Sequence, residues 1–313
     1  MSAPADRAAL VEFARDTIAR GSKSFAMASR LFDRTTRERA WLLYAWCRRC
    51  DDLADGQELG HGMAVTHDAM ARVARIRTQT ECALAGEPVD DPAFAALALV
   101  ARECRLPRRY IMDVIEGFDL DAAEWRPRTT ADLLQYCYHV AGAVGCLMAV
   151  VMGVNPDDSE TLDRACDLGL AFQLANIARD IEEDDSADRC YLPIEWLVEK
   201  DIAPGEHMKP WYRPQLAELA ARLADMAALY HASARVGAAR LPFRARWAVL
   251  AAGGIYGDIA RKVRARGEAA WDHRTIIRKR RKSFWLVRSL LRAIRTPPSA
   301  DRTGLWTRPS AMA

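Results

Sequence analysis

Phe172-Gln173-Leu174-Ala175-Asn176-Ile177-Ala178-Arg179-Asp180-Ile181-Glu182-Glu183-Asp184 reads as one helix carrying a polar stripe. Gln173, Asn176, Asp180 and Asp184 recur at i, i+3, i+7 and i+11, the spacing that keeps side chains on one face of a 3.6-residue helix. Leu, Ile and Ala fill most of what remains. On so apolar a helix the stripe is either a solvated face or the wall of a wet cavity. A second stretch, Asp51-Asp52-Leu53-Ala54-Asp55, sets Asp51 and Asp55 four residues apart behind the crowded run Tyr44-Ala45-Trp46-Cys47-Arg48-Arg49-Cys50. Like charges so placed repel by roughly a few tenths of a kcal/mol unless a cation intervenes. Two such helices favour the cavity. Carboxylate faces meeting across a cleft would make an oxygen-rich site for Mg²⁺, whose natural partner is a substrate phosphate.

Working outward, proline placement predicts the other helices. Residues 5–87, 157–192 and 215–241 contain none, while Pro88, Pro92, Pro107, Pro127, Pro156, Pro204, Pro210 and Pro214 fall between periodic segments. Proline lacks an N–H and clashes with the preceding turn, so it punctuates helices rather than filling them. Thr129-Thr130-Ala131-Asp132 and Asn155-Pro156-Asp157-Asp158 have the character of caps with acids in the first turn. Periodicity predicts helices over 5–20, 35–56, 65–86, 92–104, 108–123, 130–152, 157–184, 212–236, 243–266 and 278–294. No β-branched alternating run marks a strand, and no long linker parts the chain. The expectation is a single all-α domain over 1–313, a helical bundle around a central cavity, with a peripheral basic segment at 278–313.

Half of the residues (50%) are hydrophobic, and a net charge of +3 on 313 residues does not by itself point to nucleic acid. Eight cysteines without paired spacing, and no apolar leader in Met1–Val11, predict a reducing cytoplasm. The longest apolar run, Val140–Val154, has 15 residues. A membrane span needs roughly 20, so the run predicts a buried helix. The tail differs in kind. Between Ile259 and Arg308 stand 15 Lys or Arg against 3 acids, with Arg278-Lys279-Arg280-Arg281-Lys282 followed by Phe284, Trp285, Leu286, Leu290 and Leu291. A solvated face, a patch for an anionic membrane surface and a nucleic-acid patch all fit this composition; the aromatics lean toward the inner face of a membrane.

Several motifs occur in a telling order. They are Gly21-Ser22-Lys23-Ser24-Phe25; Arg48 through Gly56; Tyr136-Cys137-Tyr138-His139-Val140-Ala141-Gly142-Ala143-Val144-Gly145; Gln173 through Asp184; Arg189-Cys190-Tyr191-Leu192-Pro193; and Leu305-Trp306-Thr307-Arg308-Pro309. Over nearly its whole length the chain resembles the head-to-head squalene/phytoene prenyl synthases, in particular their bacterial phytoene synthase branch. The resemblance implies the α-helical isoprenoid-synthase fold. It also implies condensation of two geranylgeranyl diphosphates to phytoene through a cyclopropyl (prephytoene) diphosphate, at the entry to carotenoid biosynthesis. It sets Asp51 and Asp55 in the first metal-binding motif and Asp180 and Asp184 in the second.

The chemistry of the residues agrees with that reaction. Asp51, Asp55, Asp180 and Asp184, with the amide oxygen of Asn176, would hold Mg²⁺ (or Mn²⁺) bridging the diphosphates and drawing charge from the leaving group. Glu183 is an additional oxygen donor; Asp52 and Glu182 lie off the main faces. Arg48, Arg179 and Arg189 offer fixed donors for phosphate oxygens or salt bridges to the adjacent acids. Ser22 and Ser24, flanking Lys23, would donate to a diphosphate, or Ser22 would cap a helix. Phe25, Tyr44, Tyr136, Tyr138 and Tyr256 present faces that stabilise an allylic cation, or simply pack; Gln173 and Tyr191 join the pocket lining. Tyr138 is also a candidate catalytic proton carrier, although released diphosphate is the stronger base.

Cys47-x-x-Cys50 lacks a second ligand pair, and no Gly-x-Gly-x-x-Gly follows a strand, so neither zinc nor NADPH is expected. Two alternatives stay open. One is squalene or dehydrosqualene synthesis from farnesyl diphosphate; the other is a catalytically inactive assembly factor of the same fold, which would be expected to have lost its acids.

Overall fold

Helix boundaries fall where the chain supplies caps. The structure, a computed structural model, describes residues 6–56, 68–295 and 299–309. Its helices in chain order are α1 (Arg7–Gly21), α2 (Lys23–Ser29), α3 (Arg34–Asp55), α4 (Ala69–Ala85), α5 (Pro92–Cys104), α6 (Arg108–Ala122) and α7 (Thr130–Cys137). There follow α8 (Ala143–Val151), α9 (Ser159–Ser186), α10 (Ile194–Glu199), α11 (Arg213–Gly237), α12 (Phe243–Arg266) and α13 (Lys279–Ile294). Among the described residues there is no β-strand. Asp6, Asp33, Asp68 and Asp91 each accept a backbone N–H at the start of α1, α3, α4 and α5. Thr129 and Asp132 form a reciprocal capping box on α7. The predicted starts at residues 5 and 65 lie outside the described residues.

The helices pack as two compact units, Met1–Ala123 with Leu147–Asp158, and Glu124–Cys146 with Ser159–Ala313. In the first, α3 packs on α1, α4 and α5, and α4 on α5 and α6. Ile18, Leu42, Trp46, Phe94, Leu97 and Ile111 are fully buried there, each such aliphatic side chain contributing about 2 kcal/mol. Trp46 satisfies its indole N–H on Thr80 Oγ1 at 3.3 Å. Helix α3 stops at Gly56, which takes a left-handed φ of 64°. That stop sets Asp51, Asp52 and Asp55 in the last turn, where the backbone carbonyls already carry partial negative charge.

In the second unit α9 is the axis, packed by α11 and α12, with α13 on α12. Leu162, Leu170, Leu174, Leu216, Leu223 and Trp271 fill its core, and Trp271 Nε1 donates to Ala178 O at 3.1 Å. Between α7 and α8 the chain makes a π-helical turn, Tyr138–Gly142, a feature frequent at functional sites. The stretch Thr130–Val151 is long and apolar enough to cross a membrane, yet 67% of its apolar window is buried inside the protein, as in a core helix.

Residues 299–309 form a C-terminal strap on this unit. Arg302 grips the fully buried Asp167 with two hydrogen bonds, 2.7 and 2.9 Å. Ser233 donates to the same carboxylate. The Trp306 N–H donates to Tyr230 Oη at 3.2 Å, and its ring lies 5.7 Å from that of Tyr138. Arg308, itself buried, pairs with Asp163 at 2.7 Å.

Candidate active site

The first unit gathers the end of α1, the start of α2 and one face of α3. The Tyr44 hydroxyl sits over Gly21, where a Cβ would come within 2.6 Å of it, and the Arg48 side chain passes alongside. Phe25 meets Tyr44 edge-on, with ring centroids 5.6 Å apart. Burial pushes the Tyr44 phenol up to about 12, so it stays a neutral donor. Ser22 caps α2, its Oγ accepting the Phe25 N–H at 3.3 Å. The side chains of Lys23 and Ser24 lie outside what the structure describes.

Arg48 reaches one turn forward along α3 to the buried Asp52, its Nε donating to Oδ1 at 3.0 Å, and lies 3.9 Å from Asp51. Asp51 is therefore less well neutralised than Asp52. Its side chain keeps 48% of its surface open, while enough protein surrounds the carboxyl to thin its hydration. Burial first, then the negative charges of Asp55, Asp52 and Asp121, outweigh Arg48 and push its pKa up to about 7. Asp121, at the end of α6, is an acid that sequence reasoning missed, because only the packing of α6 brings it near. Arg72 supplies a further cation, its Nε and guanidinium nitrogen donating to the Ala54 carbonyl at 3.1 and 2.9 Å.

The second unit bears the other motif. Gln173, Asn176, Asp180 and Asp184 are half-buried along α9, whereas Leu174, Ala175, Ile177, Ala178 and Ile181 are buried and Glu182 is exposed. The four stripe residues thus share one half-buried face. Arg179 Nε donates to Asp180 Oδ1 at 2.7 Å. Arg274, from the segment before α13, also reaches Asp180 at 2.9 Å and lies 3.6 Å from Glu183. Arg274 was missed as well: it stands far along the chain, in no motif. Tyr256 stacks on Phe172 at 4.0 Å and lies in the field of Arg179 and Asp180; burial raises its phenol pKa. The backbone N–H of Arg189 donates to Asp184 O at 2.8 Å, which folds the trailing motif back on the acids. Tyr136 stacks on Tyr191 at 4.7 Å, with Trp125 beyond at 6.0 Å. Tyr138 is buried between Trp306 and His139.

Among the described residues no group of three or more His, Cys, Asp or Glu side chains is drawn together as a metal would draw them. The donors nevertheless suit a hard divalent cation. Every candidate ligand is an oxygen, and Asn176 Oδ1 is buried without a hydrogen-bond partner, an acceptor left waiting one turn before Asp180.

The family model of squalene/phytoene synthases matches residues 18–284, through both units. The chain is 46% identical over 305 residues to the phytoene synthase of Pseudescherichia vulneris, covering 96% of this chain and 98% of that one. It is 45% identical over 309 residues to the 15-cis-phytoene synthase of a Paracoccus species, with the same shares covered. A crystal structure of a dehydrosqualene synthase in complex with ligand superposes with a TM-score of 0.80 at 26% identity, covering 90% of this chain and 96% of that one.

Proposed function

The chain belongs to the squalene/phytoene synthase family, and we propose that it condenses two geranylgeranyl diphosphates head-to-head to phytoene, releasing diphosphate at each of two stages. The observation that carries this reading is the near full-length identity of about 46% to a phytoene synthase. Squalene and dehydrosqualene synthases are matched at 24–26% identity, which supports the all-α isoprenoid-synthase fold more than the substrate.

In this reading Asp51, Asp55, Asn176, Asp180 and Asp184 are the ligands of Mg²⁺ (or Mn²⁺). Bound there, the metal would supply Lewis acidity and neutralise the departing diphosphate. Arg48, Arg179, Arg189 and Arg274 hold phosphate oxygens through fixed guanidinium donors. Gln173 lines the path of the prenyl chains with Phe25, Tyr44, Tyr136, Tyr191 and Tyr256, whose aromatic rings would stabilise the developing allylic cation. Water must be kept out until the second stage is complete; the burial of Tyr136, Tyr138 and Tyr191 serves that end. Tyr138 acts as the proton carrier, with released diphosphate as the final base, and proton loss closes the reaction without NADPH. The enzyme works in the cytoplasm, with a peripheral contact at the membrane's inner face.

The test is direct. Purified protein incubated with Mg²⁺ and geranylgeranyl diphosphate should yield phytoene on lipid extraction. Consumption of farnesyl diphosphate in preference, with no phytoene, would reassign the chain to the squalene or dehydrosqualene branch. No turnover of either substrate would favour the assembly factor.

A further inference from the structure

Helix α13 has an inner and an outer face. Trp285, Ser289 and Ala293 are buried, while Phe284 (43%), Val287 (63%), Leu291 (55%) and Ile294 (69%) stand in solvent. At 3.6 residues per turn the exposed four form one stripe along the side away from Ser289. Ile276, just before the helix, is also 70% exposed. Large apolar residues scattered singly are ordinary; a continuous stripe of them marks a contact surface.

Arginines crowd one edge of that stripe. The guanidinium carbons of Arg281, Arg288 and Arg292, and of Arg261 from α12, lie 5.7, 5.9, 5.4 and 5.5 Å from the Trp285 ring centroid. Asp258 is the carboxylate among them, and Arg261, Arg281 and the Trp285 N–H all engage it. The guanidinium groups of Arg288 and Arg292 keep only their ring contacts; among the described residues neither side chain forms a hydrogen bond or an ion pair. Arg235 on α11 adds another cation within range. Burial, followed by repulsion from Arg235, Arg288 and Arg261, depresses the pKa of Arg292. The cluster holds more positive charge than its own acid neutralises.

We propose that α13 is a docking face for an anionic lipid bilayer, with Phe284, Val287, Leu291 and Ile294 seated at the acyl boundary and Arg288 and Arg292 bound to phosphate headgroups. A helix with an apolar stripe and a basic flank lies in the plane of the interface, its stripe sunk roughly 5–10 Å. Nucleic acid would use the arginines and leave the stripe wet. A second copy of this chain would bring the same cations to the same place, since a two-fold contact pairs each patch with itself. This inference deepens the peripheral contact suggested above and rests on it, but not on the identity of the reaction.

Flotation of the full chain with phosphatidylcholine vesicles, alone or with about one-third phosphatidylglycerol, tests it. The protein should float with the anionic vesicles only, and release as salt screens the headgroups. Val287→Glu with Leu291→Glu should abolish flotation, and Arg288→Gln with Arg292→Gln should lower the partition by about tenfold or more. Circular dichroism and turnover of detergent-dispersed geranylgeranyl diphosphate should be unchanged in both variants. Unaltered flotation of both would overturn the assignment to α13 while leaving a peripheral contact standing. Failure of the parent chain to float would remove the contact itself. Displacement by inorganic phosphate at constant ionic strength would make the cluster a free-phosphate site, and retention of a DNA duplex in place of vesicles would make it a nucleic-acid site; either result overturns lipid docking.

Discussion

Gly169 of α9 lies so near the π-helical turn that a Cβ built on it would sit 2.3 Å from the Ala141 carbonyl oxygen. The contact locks the Val-Ala-Gly motif to the helix bearing Asp180. Both partners are backbone, so no rotamer can relieve the clash. Gly169→Ala should destabilise the protein by about 3 kcal/mol, read as a lowered thermal midpoint. Gly257→Ala is the control. Its new methyl would meet only the flexible tip of Arg261, at 3.1 Å, and an alanine inside α12 should add up to about 1 kcal/mol of helix propensity.

The Asp167–Arg302 pair gives a second expectation. Asp167 has no exposed surface; burial raises its carboxyl pKa despite Arg302 and Ser233. Removing Arg302 strands a charge in the core, so Arg302→Ala should destabilise by about 3–5 kcal/mol. Asp167→Asn in the same background should recover part of that loss. Additive losses in a double-mutant cycle would show that the two do not act as a pair.

Much of this was legible in the chain. The long helices declared themselves because prolines and aspartate caps bracket their apolar periodicity, and α3 ends at the glycine after Asp55 as the motif implies. The π-helical turn was not legible, since Tyr138–Gly142 reads with the same period as the helices around it. The short helices α2 and α10 hide between stronger signals. Spacing at i and i+4 singled out Asp51, Asp55, Asp180 and Asp184 as candidate ligands. Asp121, Arg274 and Arg302 reach their partners only through packing between elements distant in sequence, where no local pattern points.

His231 sets a pH dependence. Burial first, then Arg235, Arg261 and Arg292, lower its pKa from 6.5 to about 4. Above pH 6.5 neither state binds a proton there and stability is whole. As the pH falls from about 6.5 toward 4, the unfolded chain takes a proton that the folded one refuses, and stability declines by at most about 3 kcal/mol. Denaturant titrations at pH 7.5 and pH 4.5 should show a smaller difference in His231→Gln than in the parent; an equal difference would place the titration elsewhere.

Asp51→Asn and Asp180→Asn should each lower phytoene formation by at least about a hundredfold with far-UV circular dichroism unchanged. Chelation of divalent metal should do the same to the parent enzyme, reversibly. Substantial turnover in both variants would remove the carboxylates from the metal site.

Asn176 offers a test that does not depend on turnover. A buried acceptor without a partner costs about 1–3 kcal/mol, and Asn176 Oδ1 is such an atom. Asn176→Leu, which keeps the volume and discards the amide, should therefore leave the metal-free protein as stable as the parent or more so. Mg²⁺ with diphosphate reverses the order. A ligand bound only by the folded state adds about 2.7 kcal/mol at a hundredfold excess over Kd, and a site short of one oxygen reaches that excess only at higher concentration. The parent's thermal midpoint should thus rise with Mg²⁺ and diphosphate along a curve that the variant follows only at higher concentrations. Coincident curves would exclude Asn176 as a ligand. Destabilisation of the variant before any metal is added would show instead that the amide already has work in the folded protein, and that its orphaned oxygen is not held in reserve for a cation.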